Sequence, residues 1–193
     1  MVEATERAAG RIEVIAGSMF SGKTERLIAL LRADDLGGRA VGAFKHRIDD
    51  RYDPDHLITH AQDRFPASRV PGPTEIVAQS LGLDTVGIDE GHFFGKALPE
   101  AVAELARSGK RVIVVGLEYD AWGRPFAEMA DLMASADEVL RMYAACRKCG
   151  GQARYTQRMV PVHTHTMVGG ADQYEPRCQR CFKPLDAPPP EQT

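Results

Sequence analysis

The segment from residue 17 to residue 24 has the residue types and the spacing to hold the phosphates of a nucleotide. It fits the pattern G-x-x-x-x-G-K-[S/T] at every fixed position and consists of Gly17, Ser18, Met19, Phe20, Ser21, Gly22, Lys23 and Thr24. Its glycines let backbone N–H groups turn towards a phosphate, next to the positive end of the following helix. We expect Lys23 to contact the β- and γ-phosphates of a nucleoside triphosphate, and Thr24 to ligate Mg²⁺. A glycine-rich turn that only joins a strand to a helix is the alternative.

Two acidic residues directly follow a short apolar run, residues 85–88, that predicts a β-strand. An Asp at the end of a strand beside a phosphate-binding loop commonly helps to hold Mg²⁺, which indicates that role for Asp89. The next carboxylate, Glu90, is placed to accept a proton from a hydroxyl nucleophile. The alternative is that both acids only cap the next helix or face solvent.

Arg51 is the best candidate for a cation that stabilises charge on a phosphoryl group in transfer. It lies in the run Ile-Asp-Asp-Arg-Tyr of residues 48–52, inside a charged segment that contains several prolines. An exposed loop arginine is an equally good interpretation of this residue from the sequence alone.

The four cysteines form two C-x-x-C pairs, Cys146 with Cys149 and Cys178 with Cys181. Two such pairs can complete a tetrahedral Zn²⁺ site with no open position, so the zinc would be structural. Residues 152–177 would then project as a loop whose ends the metal holds. Two disulfides, a redox pair or free buried thiols are the alternatives. Disulfides are disfavoured if the protein is cytosolic.

Composition limits the classes of protein to which the chain can belong. Its 193 residues suffice for one domain and a small module. It has no long apolar run and its N-terminus lacks the apolar core of a signal peptide, which predicts a cytoplasmic protein without a membrane partner. The formal net charge of −3 gives no general attraction to nucleic acid.

Apolar, β-branched segments alternate with helical patterns, which predicts an α/β fold with a mostly parallel sheet flanked by helices. Predicted strands cover residues 12–16, 40–44, 85–88, 111–116 and 138–142, and predicted helices cover residues 24–36, 74–81 and 98–107. Residues 46–73 are expected to form a long, partly mobile loop. We predict a P-loop domain over residues 1–142, a small zinc-ribbon-like module over 143–182, and a disordered tail over 183–193.

Over about residues 11–182 the chain resembles the type II, zinc-bearing thymidine kinases. The resemblance is carried by residues 17–24, Phe44-Lys45, residues 48–52, Ile88-Asp89-Glu90-Gly91-His92-Phe93-Phe94, Gly116-Leu117-Glu118, Arg124-Pro125-Phe126, Tyr155-Thr156-Gln157-Arg158, residues 168–175 and both cysteine pairs. It implies a P-loop NTPase-like fold, phosphorylation of the thymidine 5′-hydroxyl by ATP in pyrimidine salvage, and a homotetramer.

The resemblance also implies roles for individual residues. Glu90 matches the family's general base, Arg51 its active-site arginine, and Lys23 and Thr24 its phosphate and Mg²⁺ contacts. Residues 152–177 match a lasso loop that covers the nucleoside. The residues expected around the nucleoside are Met19, Trp122, Thr156, Met167, Gly169 and Tyr174.

Two departures from the family pattern bear on substrate choice. His92 stands where the family usually has Gln, and Ala121 where it usually has Phe. Either Trp122 turns into the pocket as a larger platform for the base, or the pocket is wider than usual. A kinase for another pyrimidine nucleoside is therefore a second hypothesis. A P-loop ATPase whose zinc ribbon binds nucleic acid is a third, disfavoured by the acidic charge and by the few aromatics in the module.

Overall fold

The computed structural model describes residues 10–49, 53, 55–59, 62–161 and 169–186. Its strands are β1 (Arg11–Gly17), β2 (Val41–His46), β3 (His56–Ile58), β4 (Arg64–Pro66), β5 (Ser68–Val70), β6 (Thr85–Asp89), β7 (Arg111–Gly116), β8 (Glu138–Met142), β9 (Ala144–Ala145), β10 (Gln152–Ala153), β11 (Tyr155–Arg158) and β12 (Tyr174–Arg177). Its helices are α1 (Lys23–Leu36), α2 (Pro73–Gln79), α3 (Leu98–Arg107) and α4 (Ala127–Ser135), with short 3₁₀ turns at Gly91–Phe93 and Gly95–Ala97.

Six strands form one sheet in the order β5-β2-β6-β7-β1-β8, and every neighbouring pair is parallel. This confirms the predicted α/β fold. Since parallel strands end at the same edge of a sheet, the residues that follow β1, β6 and β7 are neighbours. That edge is where open α/β sheets bind ligands.

Alternating side chains of the central strands build two apolar layers, one on each face of the sheet. On β7, Val112 and Val114 pack into the layer that contains residues of α2, α3 and α4. Ile113 and Val115 pack into the other layer, against residues of α1. All four side chains are fully buried, as the unbroken apolar run of this strand predicts.

Two stretches of the sheet domain differ from the sequence-based expectations. Within residues 46–73, expected to form a loop, the described parts include the β3–β4 hairpin and the edge strand β5, which pairs with β2. Strands of three residues are too short to show a periodicity, and β5 obtains its order from β2. Helix α4 was not predicted; it buries Met129 and Leu132.

The C-terminal part consists of two small antiparallel hairpins, β9–β10 and β11–β12. Residues 183–186 are the described part of the tail expected to be disordered, and they are bonded to the rest of the chain. The backbone of Lys183 hydrogen bonds to the Gln157 side chain, and residues as far as Asp186 make further contacts. Residues 187–193 lie outside the described part. Among the described residues, no helix has the length and apolar character needed to cross a bilayer.

Candidate active site

The predicted phosphate-binding loop lies between β1 and α1, at the carboxyl edge of the sheet. Gly22 precedes the helix with a left-handed backbone, φ +83°, which glycine adopts without steric cost. Gly17 is required by close approach, because a Cβ there would lie 2.2 Å from the Met142 carbonyl oxygen. The loop therefore owes its shape to the two glycines that fix the sequence pattern.

The side chains of this loop are largely buried and point inward. Lys23 is 8% exposed, and its Nζ donates a 2.7 Å hydrogen bond to the Ser18 carbonyl. The Ser21 hydroxyl donates to the same carbonyl at 2.8 Å. Lys23 therefore lies folded against the loop in which a phosphate is expected.

Thr24 and Asp89 lie next to each other, as expected for two residues that share a cation. The Thr24 Oγ1 is 3.4 Å from Oδ1 and 3.3 Å from Oδ2 of Asp89. Asp89 is 6% exposed and accepts the backbone N–H of Glu90 at 2.9 Å. A hydroxyl and a carboxylate are oxygen donors of the kind that Mg²⁺ prefers, so the pair fits that ion.

Glu90 follows β6 in a strained backbone conformation, φ +50° and ψ +48°. Among the described residues, only Phe20, Gln62 and Glu90 are non-glycine residues with positive φ. Phe20 lies in the phosphate-binding loop, so two of the three belong to this site. Strain of this kind concentrates at functional sites, where the surrounding structure holds a side chain in one direction.

His92, the departure noted in the sequence, lies against Glu90. Its Nδ1 is 3.6 Å from Glu90 Oε2 and accepts the backbone N–H of Leu117 at 3.2 Å. The ring packs on Phe93 and Phe126 at centroid distances of 4.2 Å and 4.8 Å. It thus joins the turn after β6 to the loop after β7.

One cavity lies over the phosphate-binding loop and contains charged groups that the sequence prediction did not assign to the site. Besides Lys23, Thr24, Asp89 and Glu90, it is lined by Lys45 and Asp49. Burial lowers the pKa of Lys45, against the opposing effect of the carboxylates of Asp49, Asp53 and Asp89. Lys45 Nζ donates to the carbonyls of Asp53 and, at 2.9 Å, His56. The available signal was a lysine directly after the predicted strand of residues 40–44.

A second, larger cavity of about 320 Å³ lies beside the first. It contains most of the residues expected around the nucleoside: Met19, Trp122, Thr156, Gly169 and Tyr174. Its lining also includes residues that sequence reasoning did not assign to the site: Ile48, Phe93, Gly95, Leu117, Tyr119, Asp120, Phe126 and Arg158. Ala121 and Trp122 both line this cavity, so the unusual pair does belong to its wall. Met19 and Glu90 line both cavities.

Two predicted site residues, Arg51 and Met167, lie outside the described residues. Most of the segment between the cysteine pairs is described, except residues 162–168. Its strand β11 is tied to the phosphate-binding loop. The Met19 N–H donates to Thr156 Oγ1 at 3.0 Å, and the Ser18 hydroxyl donates to the Ala153 carbonyl at 3.1 Å.

The four cysteines come together as one cluster. Their sulfurs all lie within 4.8 Å of one another, those of Cys149 and Cys178 are 3.5 Å apart, and no disulfide links them. Four thiolates about 2.3 Å from a tetrahedral zinc would have comparable separations. Burial raises the pKa of the Cys146 thiol, but backbone hydrogen bonds from Cys178, Lys148 and Cys149 bring it to about 6. The donor set therefore fits zinc.

The C-terminal hairpins are joined to the sheet domain by a buried carboxylate. Glu118, 4% exposed, follows β7 and accepts Arg154 Nε at 3.3 Å and Arg141 Nε at 3.4 Å. Burial raises its pKa, but the hydrogen bond and charge of Arg154, with Arg141, outweigh that effect and lower it. The Arg154 guanidinium also lies 4.8 Å above the ring of Tyr119, a residue of the second cavity.

Comparison with known proteins shows the family to which the chain belongs. A family model described as "Thymidine kinase" matches residues 10–182. A thymidine kinase of Rhodothermus sp. is 41% identical over 192 residues, which cover 95% of this chain and 90% of that protein. Thymidine kinases of Porphyromonas gingivalis and Bacteroides thetaiotaomicron are each 39% identical, over 93% and 91% of this chain and 88% of each relative. The chain therefore belongs to the thymidine kinase family.

Proposed function

We propose that this chain transfers the γ-phosphoryl group of ATP to the 5′-hydroxyl of thymidine, giving dTMP and ADP. The observation that carries the proposal is that Glu90 and Met19 line both cavities. A phosphoryl donor over residues 17–24 and a nucleoside in the second cavity would meet at these two residues. Membership of the thymidine kinase family supports both the reaction and the nucleoside.

In this mechanism Glu90 acts as general base. Its carboxylate accepts the proton of the 5′-hydroxyl while that oxygen forms a bond to the γ-phosphorus, and the bond from the γ-phosphorus to the leaving ADP oxygen breaks. Lys23 and the backbone N–H groups of residues 17–24 stabilise the charge on the phosphates. Arg51 would add a second positive charge on the group in transfer.

Thr24 and Asp89 would hold the Mg²⁺. Their separation of 3.3–3.4 Å and their oxygen donors support this assignment. When bound, the ion screens the charge of the β- and γ-phosphates. The four cysteines would hold a structural Zn²⁺ that keeps the ends of the lasso loop together, with Met167 among the residues of the loop that contact the nucleoside.

The larger organisation follows the family resemblance. We expect a P-loop domain over residues 1–142, a zinc module over 143–182, a cytoplasmic homotetramer, and no nucleic-acid partner. Light scattering on the purified protein tests the tetramer. A mass equal to that of one chain would contradict it.

The function is tested by measuring phosphate transfer from ATP across a panel of pyrimidine and purine nucleosides. We expect thymidine to be the preferred acceptor, with the product phosphorylated at the 5′ position. Failure to phosphorylate any nucleoside, with ATP hydrolysis stimulated by single-stranded DNA, would instead support the ATPase hypothesis.

A kinase with another pyrimidine preference is the second candidate, and the observation that favours it is Ala121 in the wall of the second cavity. A side chain of one carbon leaves room that a bulkier residue would fill. In the same panel, a higher kcat/KM for a pyrimidine nucleoside other than thymidine would favour this reading.

A further inference from the structure

Residues 183–186, called the strap below, lie just beyond the last cysteine and run along the outside of the second cavity. That cavity is called the acceptor cavity below. Phe182 leads into the strap from the metal cluster, and its N–H donates to the Cys178 carbonyl at 2.9 Å. The Phe182 ring stacks on Tyr155 at 4.5 Å, with 13° between the planes. A Cβ on Gly123 would lie 3.0 Å from this ring, so the ring lies directly on the backbone of the cavity wall.

The strap is held first by Gln157 of β11. The Gln157 side chain donates to the Lys183 carbonyl and accepts the Lys183 N–H, both at 2.8 Å. Gln157 is 8% exposed, so its side chain is held in place within the packed part of the chain. Such a pair of bonds to one residue fixes the position and the direction of the backbone, as a neighbouring strand would.

The far end of the strap is bonded to the wall itself. The Leu185 N–H donates to the Ala121 carbonyl at 3.2 Å, and the Trp122 Nε1–H donates to the Asp186 carbonyl at 2.5 Å. Trp122 is 9% exposed. From the inside, Asp120 Oδ1 accepts the Trp122 N–H at 2.9 Å. The wall of residues 120–122 is thus held between the strap and its own turn.

We propose that the strap positions the Ala121–Trp122 wall and thereby sets the affinity of the acceptor cavity for its nucleoside; this rests on the proposed function. Leu185 and Asp186 are positioning residues: Leu185 acts through the Ala121 carbonyl and Asp186 through the Trp122 indole. Without them the indole loses the acceptor that fixes its plane, and the wall gains conformers that no longer face the cavity. A binding site of which only a fraction is competent binds more weakly by that fraction.

Trp122 is the only tryptophan of the chain, so its fluorescence reports the wall directly. One variant ends at Phe182 and lacks the strap. Its control ends at Ala187, which keeps the Asp186 carbonyl as an amide. A second pair is Leu185→Pro, which lacks the N–H that bonds to Ala121, and Leu185→Ala, which keeps it. Emission spectra, KM values for thymidine and ATP, kcat and the unfolding temperature are measured for each.

We expect the chain ending at Phe182 to emit further to the red than its control. Its KM for thymidine should rise about tenfold, the equivalent of one or two hydrogen bonds, with the KM for ATP and kcat unchanged. Leu185→Pro should change the emission and the KM for thymidine in the same direction but by less. Leu185→Ala should leave both close to those of the intact chain.

Equal emission and equal KM for thymidine in the two truncated chains would overturn the proposal. An equal rise in the KM values for thymidine and ATP would overturn it too. If the intact chain phosphorylates no nucleoside, the proposed function fails instead. In that case the emission difference between the two truncated chains still decides whether the strap holds the wall. Nucleoside titrations followed by Trp122 emission then measure affinity without turnover, and equal affinity in both chains would overturn the proposal.

Discussion

Glu90 holds a left-handed backbone conformation that costs an L-residue roughly 1–2 kcal/mol. The strain directs its carboxylate to the boundary between the two cavities, where a base for the acceptor hydroxyl would act. Glu90→Gln keeps the shape of the side chain and removes the basic oxygen. We expect kcat for thymidine phosphorylation to fall by about 10²–10⁴, with little change in ATP affinity, measured by steady-state kinetics and nucleotide titration.

Glu104→Gln is the control for Glu90→Gln, because Glu104 is an exposed residue of α3. It should keep full activity. Thymidine turnover that survives Glu90→Gln undiminished would show that another group accepts the proton, and His92, whose Nδ1 lies 3.6 Å from Glu90 Oε2, would be the first residue to test.

Ala121 gives the second prediction at the scale of single residues. It lines a cavity of about 320 Å³ whose wall also includes Trp122, Tyr119 and Phe126. Ala121→Phe adds an aromatic ring to this wall, and we expect thymidine to bind several-fold more tightly, since an aromatic contact contributes about 0.5–1.5 kcal/mol. The KM for ATP serves as the internal control. An unchanged KM for thymidine would mean that position 121 does not touch the base.

Among the elements, the loop after β7 connects the sheet domain to the C-terminal hairpins through Glu118. Arg154 and Arg141 lower the pKa of this buried carboxyl in the folded protein. The ionised carboxylate therefore stabilises the fold fully at pH values above the ordinary pKa of 4.5. This contribution to stability is lost as the pH falls through the lower pKa of the folded state. Glu118→Gln should therefore cost about 1–2 kcal/mol of unfolding free energy at pH 7. The difference from the parent chain should narrow below pH 4.5.

Urea unfolding at pH 7 and pH 4 measures this difference. Glu138→Gln is the control, since its partner Arg11 and Glu138 itself are 48% and 61% exposed, and exposed pairs contribute little. A Glu118→Gln penalty that stays the same at both pH values would show that packing, and not ionisation, is what Glu118 supplies.

The elements also show which parts of the fold a sequence can reveal. The phosphate-binding loop and the cysteine pairs were predictable because their geometry is required by residue types at fixed local spacing. Strand β5 was not, since its order comes from pairing with β2, far along the chain. The strap is polar and proline-containing, and only the distant Gln157 and Trp122 order it. Residues that line the second cavity, such as Arg158, are likewise brought together by contacts between distant parts of the chain.

For the whole molecule, the cysteine cluster is connected to both cavities. The hairpins that it holds contact the phosphate-binding loop through Ser18 and Met19. They contact the acceptor wall through Phe182 and the strap. The bound metal would therefore support the donor side and the acceptor side together, whereas the strap supports the acceptor side alone.

Removal of the metal should separate these two kinds of support. Cys178→Ser deprives the cluster of one of its two buried sulfurs, and we expect the zinc content to fall from one ion per chain to near zero, since a structural site needs all four ligands. The unfolding temperature should fall, and the KM should rise for both thymidine and ATP. Gln179 is an exposed residue between the cysteines of the same pair. Gln179→Ala should leave the zinc content, the unfolding temperature and both KM values unchanged. A rise in the KM for thymidine alone would mean that the metal acts only through the strap. The hydrogen bonds that Ser18 and Met19 donate to Ala153 and Thr156 would then not order the phosphate-binding loop.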